Sequence, residues 1–313
     1  MEHLLLPIVF LLGALGGGAL IWRRRGRRGA DEGAEGGLGR WPKVKLVAAT
    51  AVLTTLLLGA LGYGLVRHRF KKTQASGASV RQAVSDFRKT GSSAAKQLGK
   101  SPAGGVYRYA ATGFYEVEAP VLGKDRRVMP KTVPAVLVPD GDCWELTIRY
   151  FKQHHWTARY CRGPQGGLRF VWAKNKNEFF SMKNRSHTFC TPNVILRPGG
   201  LPGPGPDSAP GTEWKEVCKR KMPKAHQNKA DVDITIRYVG VESVTVGKRA
   251  VLAHHLRSSF SMKGMMSGTF QQDFWYAKSS GLLIKLRTKG RASGMGKFVS
   301  DYQLTLQSLS PTR

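Results

Sequence analysis

The segment Asp142–Arg162 constrains the fold more tightly than any other part of this 313-residue chain. Folded as a hairpin about Lys152, it sets Cys143 opposite Cys161, Trp144 opposite Tyr160, Leu146 opposite Ala158 and Ile148 opposite Trp156. The other face then pairs Glu145 with Arg159 and Thr147 with Thr157. One register therefore gathers apolar residues on one face, puts an ion pair on the other and brings two cysteines together. A slip of one residue would undo all three, so their agreement specifies the register. Directly opposed strand positions are close enough for a disulfide.

Two further cysteines, Cys190 and Cys218, flank a Gly/Pro-rich stretch at 197–211 that reads as a loop. Four cysteines allow three connectivities. The hairpin register selects Cys143–Cys161, which leaves Cys190–Cys218. No two cysteines have the two-to-four-residue spacing of a zinc site, so no structural metal is expected. Disulfides imply an oxidising compartment.

Beyond Val106 the pattern is short strands and turns. Val106–Glu118, Val133–Val138 and Leu168–Trp172 precede a meander of Val232–Tyr238, Val241–Val246, Ala250–Met262, Thr269–Tyr276, Leu282–Thr288 and Phe298–Leu309. Val239–Gly240 and Lys289–Gly296 read as turns. No long helical segments alternate with the strands, which excludes a parallel α/β core.

The N-terminal part has a different character. Leu4–Trp22 is uncharged over 19 residues and Leu46–Val66 over 21, and about 20 apolar residues span a hydrocarbon core. Eight basic residues between them, from Arg23 to Lys45, outweigh the four that follow the second run, so the positive-inside rule places that loop in the cytoplasm. Translation from a lower start would instead make Lys43–Tyr63 a signal peptide, and that reading stays open. Between the runs and the strands, Val80, Val84, Phe87, Ala94 and Leu98 share one helical face, with Ser79 as cap. This helix either lies on a membrane or packs against the following domain.

The expected architecture is two N-terminal transmembrane helices, a short stalk helix and a mainly antiparallel all-β domain, as a curved sheet, half-barrel or sandwich. Its boundaries are 1–72 for the anchor with a basic cytoplasmic loop at 23–45, 73–102 for the stalk or linker, and 103–313 for the β-rich domain. Both termini and that domain then lie outside a multi-pass plasma-membrane anchor. The net charge is +30, of which +22 belongs to residues 73–313. Such a field favours anionic partners.

A strand with the sequence "VTVGKRAVLAHHLRSSFSM", a turn and then "FQQDFWYAKSSGLLIKLRT" resembles the curved antiparallel sheets of LolA/LppX-type envelope lipoprotein carriers over about residues 232–309. The resemblance implies a curved sheet around a hydrophobic cavity that holds lipid or acyl chains. The chain departs from that family in having two expected spans in place of a lipidated cysteine and two expected disulfides. No binding residue carries over.

Catalytic motifs are scarce. His154–His155 and His254–His255 are adjacent on strands, where neighbours point to opposite faces, so neither pair can chelate one ion. No serine occupies a Gly-x-Ser-x-Gly elbow. Ser93–Lys96 lies in the stalk without companion motifs. Glu116 with Glu118, and Asp231 with Asp233, share strand faces, the pattern a polymer hydrolase would need. Asp140 and Asp142 flank a glycine as turn residues. Aromatic and basic residues interleave at Arg149–Tyr160, but the hairpin register turns Trp156 and Tyr160 toward the core. Met262, Met265 and Met266 lie near Phe260 and Phe270 in sequence, and Asn184-Arg185-Ser186 is a glycosylation sequon.

The expected function is therefore non-enzymatic, with no catalytic residue, cofactor or metal: a membrane-anchored binding domain for lipid or another anionic envelope component. Its partners would be membrane lipids, with nucleic acid disfavoured. The alternatives are a structural partner of envelope proteins and an envelope-polymer hydrolase.

Overall fold

The computed structural model describes residues 41–69, 75–90, 101–162, 167–191, 209–221, 229–262, 266–294 and 296–313. Helix α1 spans Trp41–Arg69 and helix α2 spans Val80–Thr90. Thirteen strands follow: β1 (Gly105–Ala119), β2 (Gly123–Val128), β3 (Thr132–Asp140), β4 (Cys143–Phe151), β5 (His154–Arg162), β6 (Leu168–Phe179), β7 (Met182–Thr191), β8 (Glu213–Lys221), β9 (Lys229–Val246), β10 (Arg249–Met262), β11 (Met266–Ala277), β12 (Leu283–Gly294) and β13 (Lys297–Leu306). Contacts divide the chain into two compact units, Met1–Gly62 and Tyr63–Arg313.

Among the described residues no helix is long and apolar enough to cross a membrane. The expected two-span anchor, multi-pass plasma-membrane topology and membrane-lipid partnership are corrected accordingly. The run Leu4–Trp22 and residues 23–40 of the basic loop lie outside the described residues, and residues 41–45 begin α1.

The β domain is also more than a curved sheet, half-barrel or sandwich. All neighbouring strands pair antiparallel, and β13 pairs with β1 from Tyr109–Leu306 to Glu118–Lys297, which closes the wall. β2 and β3 share β1 end to end: Phe114–Ala119 pairs with β2 and Gly105–Ala110 with β3. The two act as one strand interrupted around Pro130, so the wall is a closed twelve-strand barrel. Gly113 marks the switch. Its φ is +97°, its carbonyl accepts from the Met129 N–H at 2.9 Å, and a Cβ there would overlap the Asp301 carbonyl.

The hairpin register read from sequence is that of β4 and β5, from Cys143–Cys161 to Ile148–Trp156. Arg159 donates to Glu145 at 3.1 Å, and the Thr147 and Thr157 hydroxyls lie 3.0 Å apart. Disulfides join Cys143 to Cys161 and Cys190 to Cys218. Val239–Gly240 is no turn. β9 runs through it, with Gly240 at φ +142° absorbing a bulge opposite His255/Leu256. Lys289–Gly294 is strand, because small Gly290 and Ala292 face inward and Lys289 and Arg291 outward. The Phe270 ring covers Gly290.

Inward-facing rings meet across one side of the barrel. The Tyr150 and Tyr302 hydroxyls are 3.2 Å apart, those of Tyr160 and Tyr276 3.4 Å, and Tyr109 donates to the Leu283 carbonyl at 2.5 Å. Outside, α2 buries Ala83 and Phe87 against Val106 and Val136. Full burial of a side chain such as Phe87 contributes about 1.5–3 kcal/mol. Ser79 caps α2 by accepting from the Gln82 N–H at 3.3 Å. Asp86 ties the helix to Arg149 of β4 at 2.5 Å, and hydrogen bonds from Arg149 and then Gln82 hold its carboxyl below the usual range.

Candidate functional site

Alternation along each strand decides which side chains enter the barrel. Eight strands already make an interior that side chains or one small ligand can fill, and twelve enclose more. On the β1, β3–β5, β12 and β13 side the space is filled: Tyr107, Tyr109, Leu137, Trp144, Leu146, Ile148, Tyr160 and Leu304 are all at or below 1% exposure. The other side differs. Trp156, Phe170, Trp214, Ile234, Ile236, Phe260, Phe270 and Phe274 point inward yet remain half-buried. These partly exposed inward side chains run from Phe260 and Phe270 near the β10–β11 turn to Trp214 near the start of β8.

Polar groups enter the same space. On β8, Glu216, Cys218 and Arg220 alternate with exposed Lys215, Val217 and Lys219. Arg220 reaches past β9, donating to Thr188 Oγ1 at 3.4 Å and lying 3.3 Å from Met262 Sδ. Burial pulls its pKa down, and among the described residues it has no carboxylate at ion-pair distance. Glu216 accepts from Trp214 Nε1 at 3.1 Å. Ser258, Gln272 and Thr288 form a polar band, with Gln272 donating to Thr288 Oγ1 at 3.4 Å.

Near the β4–β5 turn a second inward group forms. His154 lies 4.6 Å from the Tyr115 ring and 4.8 Å from the Tyr150 ring. Burial, reinforced by the charges of Arg127 and His155, holds its pKa at about 3, so it is neutral. Arg127 is buried, pairs with Asp125 at 2.8 Å and stacks over Phe179 at 4.1 Å. Burial raises the Tyr115 and Tyr150 phenols well above their ordinary value, so they act as neutral hydrogen-bonding groups.

The adjacent histidines do point apart. His154 enters the barrel, whereas His155 is on the outer face opposite Lys176. His254 contacts the Tyr238 hydroxyl inside at 3.2 Å. Outside, His255 Nδ1 is 2.8 Å from Glu242 and Nε2 is 2.9 Å from Asp273. Arg257 and Gln271 also donate to Asp273, and Trp275 donates to Glu242 at 2.7 Å while stacking on His255 at 4.1 Å. Burial by itself would raise the Asp273 pKa, but the bonds from His255, Arg257 and Gln271 outweigh it and hold it at about 2. The site is a carboxylate-clamped histidine, and sequence reading missed Glu242 and Asp273 as its partners. Their cross-strand positions relative to His255 were the available signal.

The paired strand acids do not converge. Glu116 bonds Lys124 and Arg126, and Glu118 lies 3.7 Å from Lys297. Asp233 is exposed, and the side chain of Asp231 lies outside the described residues. Asp140 bonds Arg159. Ser93, Lys96 and Met265 also lie outside the described residues. Phe260 and Phe270 stack at 5.1 Å, and the sequon Asn184-Arg185-Ser186 is on β7. Trp156 packs against the core and Tyr160 belongs to it, so neither supplies the outer aromatic–basic mixture that their sequence neighbours imply.

No protein-family model matches the chain, and no curated protein does. Among solved structures it is similar to the hypothetical lipoprotein YmcC from Escherichia coli (K12), at 12% identity over 72% of this chain and 97% of that one, with a TM-score of 0.32. A Bacteroides fragilis protein described as exported and of YmcC-like fold is 9% identical over 66% of this chain and 96% of its own, also at 0.32. The likeness is thus a distant one to a YmcC-like fold and not specifically to LolA/LppX carriers.

Proposed function

We propose that the barrel is a non-catalytic binding module whose lumen takes an apolar small molecule bearing one anionic group. The observation that carries this reading is the half-exposure of inward-facing Trp156, Ile236, Phe260 and Phe274 on one side of the barrel, beside the fully buried side chains of the other. Apolar walls with a few placed polar groups are the usual composition of a ligand site, and barrel mouths are a usual place for one. Arg220 supplies a cation inside that wall for the ligand's charge. A binding role rather than catalysis accords with His255, whose two ring nitrogens are both engaged by carboxylates. The membrane anchor has no part in this reading.

The test uses the full chain with two fluorescent dyes, an anilinonaphthalene sulfonate and a neutral dye of similar size. Ile236→Trp fills the lumen and should abolish saturable binding of both dyes. Arg220→Met should weaken the sulfonate while sparing the neutral dye. Saturable binding unchanged by Ile236→Trp, in a variant with native near-UV circular dichroism, refutes the lumen as the site.

A further inference from the structure

The outer face of β12 carries a line of cations that the barrel interior does not use. The strand alternates without a break. Ile284, Leu286, Thr288, Gly290 and Ala292 are buried, and Lys285, Arg287, Lys289 and Arg291 point the other way. Arg287, Lys289 and Arg291 are exposed, while half-buried Lys285 lies 4.3 Å above the Trp275 ring. Beside the line stand Thr269 and Gln271 on β11 and Gln303 and Thr305 on β13. An antiparallel strand rises about 3.4 Å per residue, so alternate residues are about 6.8 Å apart and the four cations cover about 20 Å.

The charge along this line is one-sided. Among the described residues none of the four cations forms an ion pair, because the carboxylates around them are engaged by other groups. Asp273 is held by His255 and Arg257, Glu116 by Lys124 and Arg126, and Glu118 by Lys297. Asp301, opposite Lys289 on β13, is the exception, one carboxylate against four cations. Among the described residues no exposed ring stands beside the line. Trp275 is buried beneath Lys285, and Phe114 lies beneath the Arg126 guanidinium at 3.6 Å.

We propose that this face binds the backbone of double-stranded nucleic acid, with Lys285, Arg287, Lys289 and Arg291 each meeting one phosphate along a single strand of the duplex. The spacing carries the argument. From one phosphorus to the next, a polynucleotide has as many backbone bonds as two amino-acid residues, so its phosphates stand at most about 7 Å apart. That is the step of the cations on β12. A uronate chain, with one carboxylate on each shorter sugar unit, does not keep that step. Flanking hydroxyls and amides are ordinary phosphate contacts. Single strands would need rings on which to stack their bases, whereas a duplex keeps its bases inside and presents phosphate alone. The site stands independently of the ligand proposed for the interior.

Fluorescence anisotropy of a labelled DNA duplex with the full chain tests it. Four phosphate contacts give a slope of log K against log salt of about −3.6, a loss of about 100-fold between about 50 and 200 mM salt. Arg287→Gln with Lys289→Gln should reduce the steepness by about 2. Arg287→Lys with Lys289→Arg keeps the charge, controls for folding and should leave the slope as it is. Asp301→Asn removes the opposed charge and should tighten binding. AT-rich and GC-rich duplexes should bind alike. Failure to bind, a slope unchanged by the paired Gln variant, tighter binding of an oligothymidylate than of the duplex, or equal displacement by a polyuronate of matched charge would each overturn the proposal. So would loss of binding on Lys174→Gln with Lys176→Gln while the β12 variant binds normally, because the site would then be the outer face of β6.

Discussion

Replacing His154 by phenylalanine should make the protein resistant to mild acid. The folded barrel keeps this imidazole neutral, at about 3 against 6.5 for the free group, through burial and then the charges of Arg127 and His155. The unfolded chain takes up a proton below about pH 6.5 that the folded chain refuses. Stability is therefore complete above that pH and falls by about 1.4 kcal/mol per pH unit from there down to about pH 3. Between pH 7 and pH 5 this single group removes about 2 kcal/mol, a large part of the stability of an ordinary domain. His154→Phe retains a ring against Tyr115 and Tyr150 without a titrating group. Burial also lowers His155 and His254, but both remain in the variant and cancel in the comparison. Urea unfolding of both full chains, followed by near-UV circular dichroism at pH 7, 6 and 5, gives the difference directly. The wild type should lose about 2 kcal/mol more than the variant over that range. Parallel stability curves would refute the assignment of His154 as a buried neutral base.

Asp273 works in a lower window. Its folded pKa of about 2 lies below the ordinary 3.8, so its stabilisation is present above about pH 4 and disappears as the pH falls through 2. Acid titration of unfolding should show about 2 kcal/mol lost there by the wild type and not by Asp273→Asn. Replacing Cys190 and Cys218 by serine opens a 28-residue connection and should cost about 3–4 kcal/mol by chain entropy, read as a lower urea midpoint. An unchanged midpoint would show that this bond constrains little of the unfolded chain.

Legibility in the sequence followed the range of the interactions. The β4–β5 register was readable because a period of two, an ion pair and two cysteines all act across a single hairpin. The inward and outward placement of His154–His155 and His254–His255 follows from the same period. The β6–β7 hairpin was not readable. Its turn residues, Phe180 at φ +49° and Ser181 at φ +61°, are not glycine or asparagine, and Phe180 is held there by complete burial. β8 escaped notice because Lys215, Lys219 and Lys221 disguise a strand whose opposite face carries Trp214 and Cys218. The apolar run Leu46–Val66 meets a length rule in the sequence, but among the described residues no helix is long and apolar enough to cross a membrane.

The chain alone determined its antiparallel β character, its best hairpin and the facing of side chains along each strand, because these depend on neighbours a few residues apart and on a pleat that alternates everywhere. Only the tertiary structure decided that β1 meets β13, since no local pattern records a pairing between Tyr109 and Leu306. That closure sets the number of strands around the wall, and the circumference in turn decides which inward side chains are fully buried and which stay half-exposed.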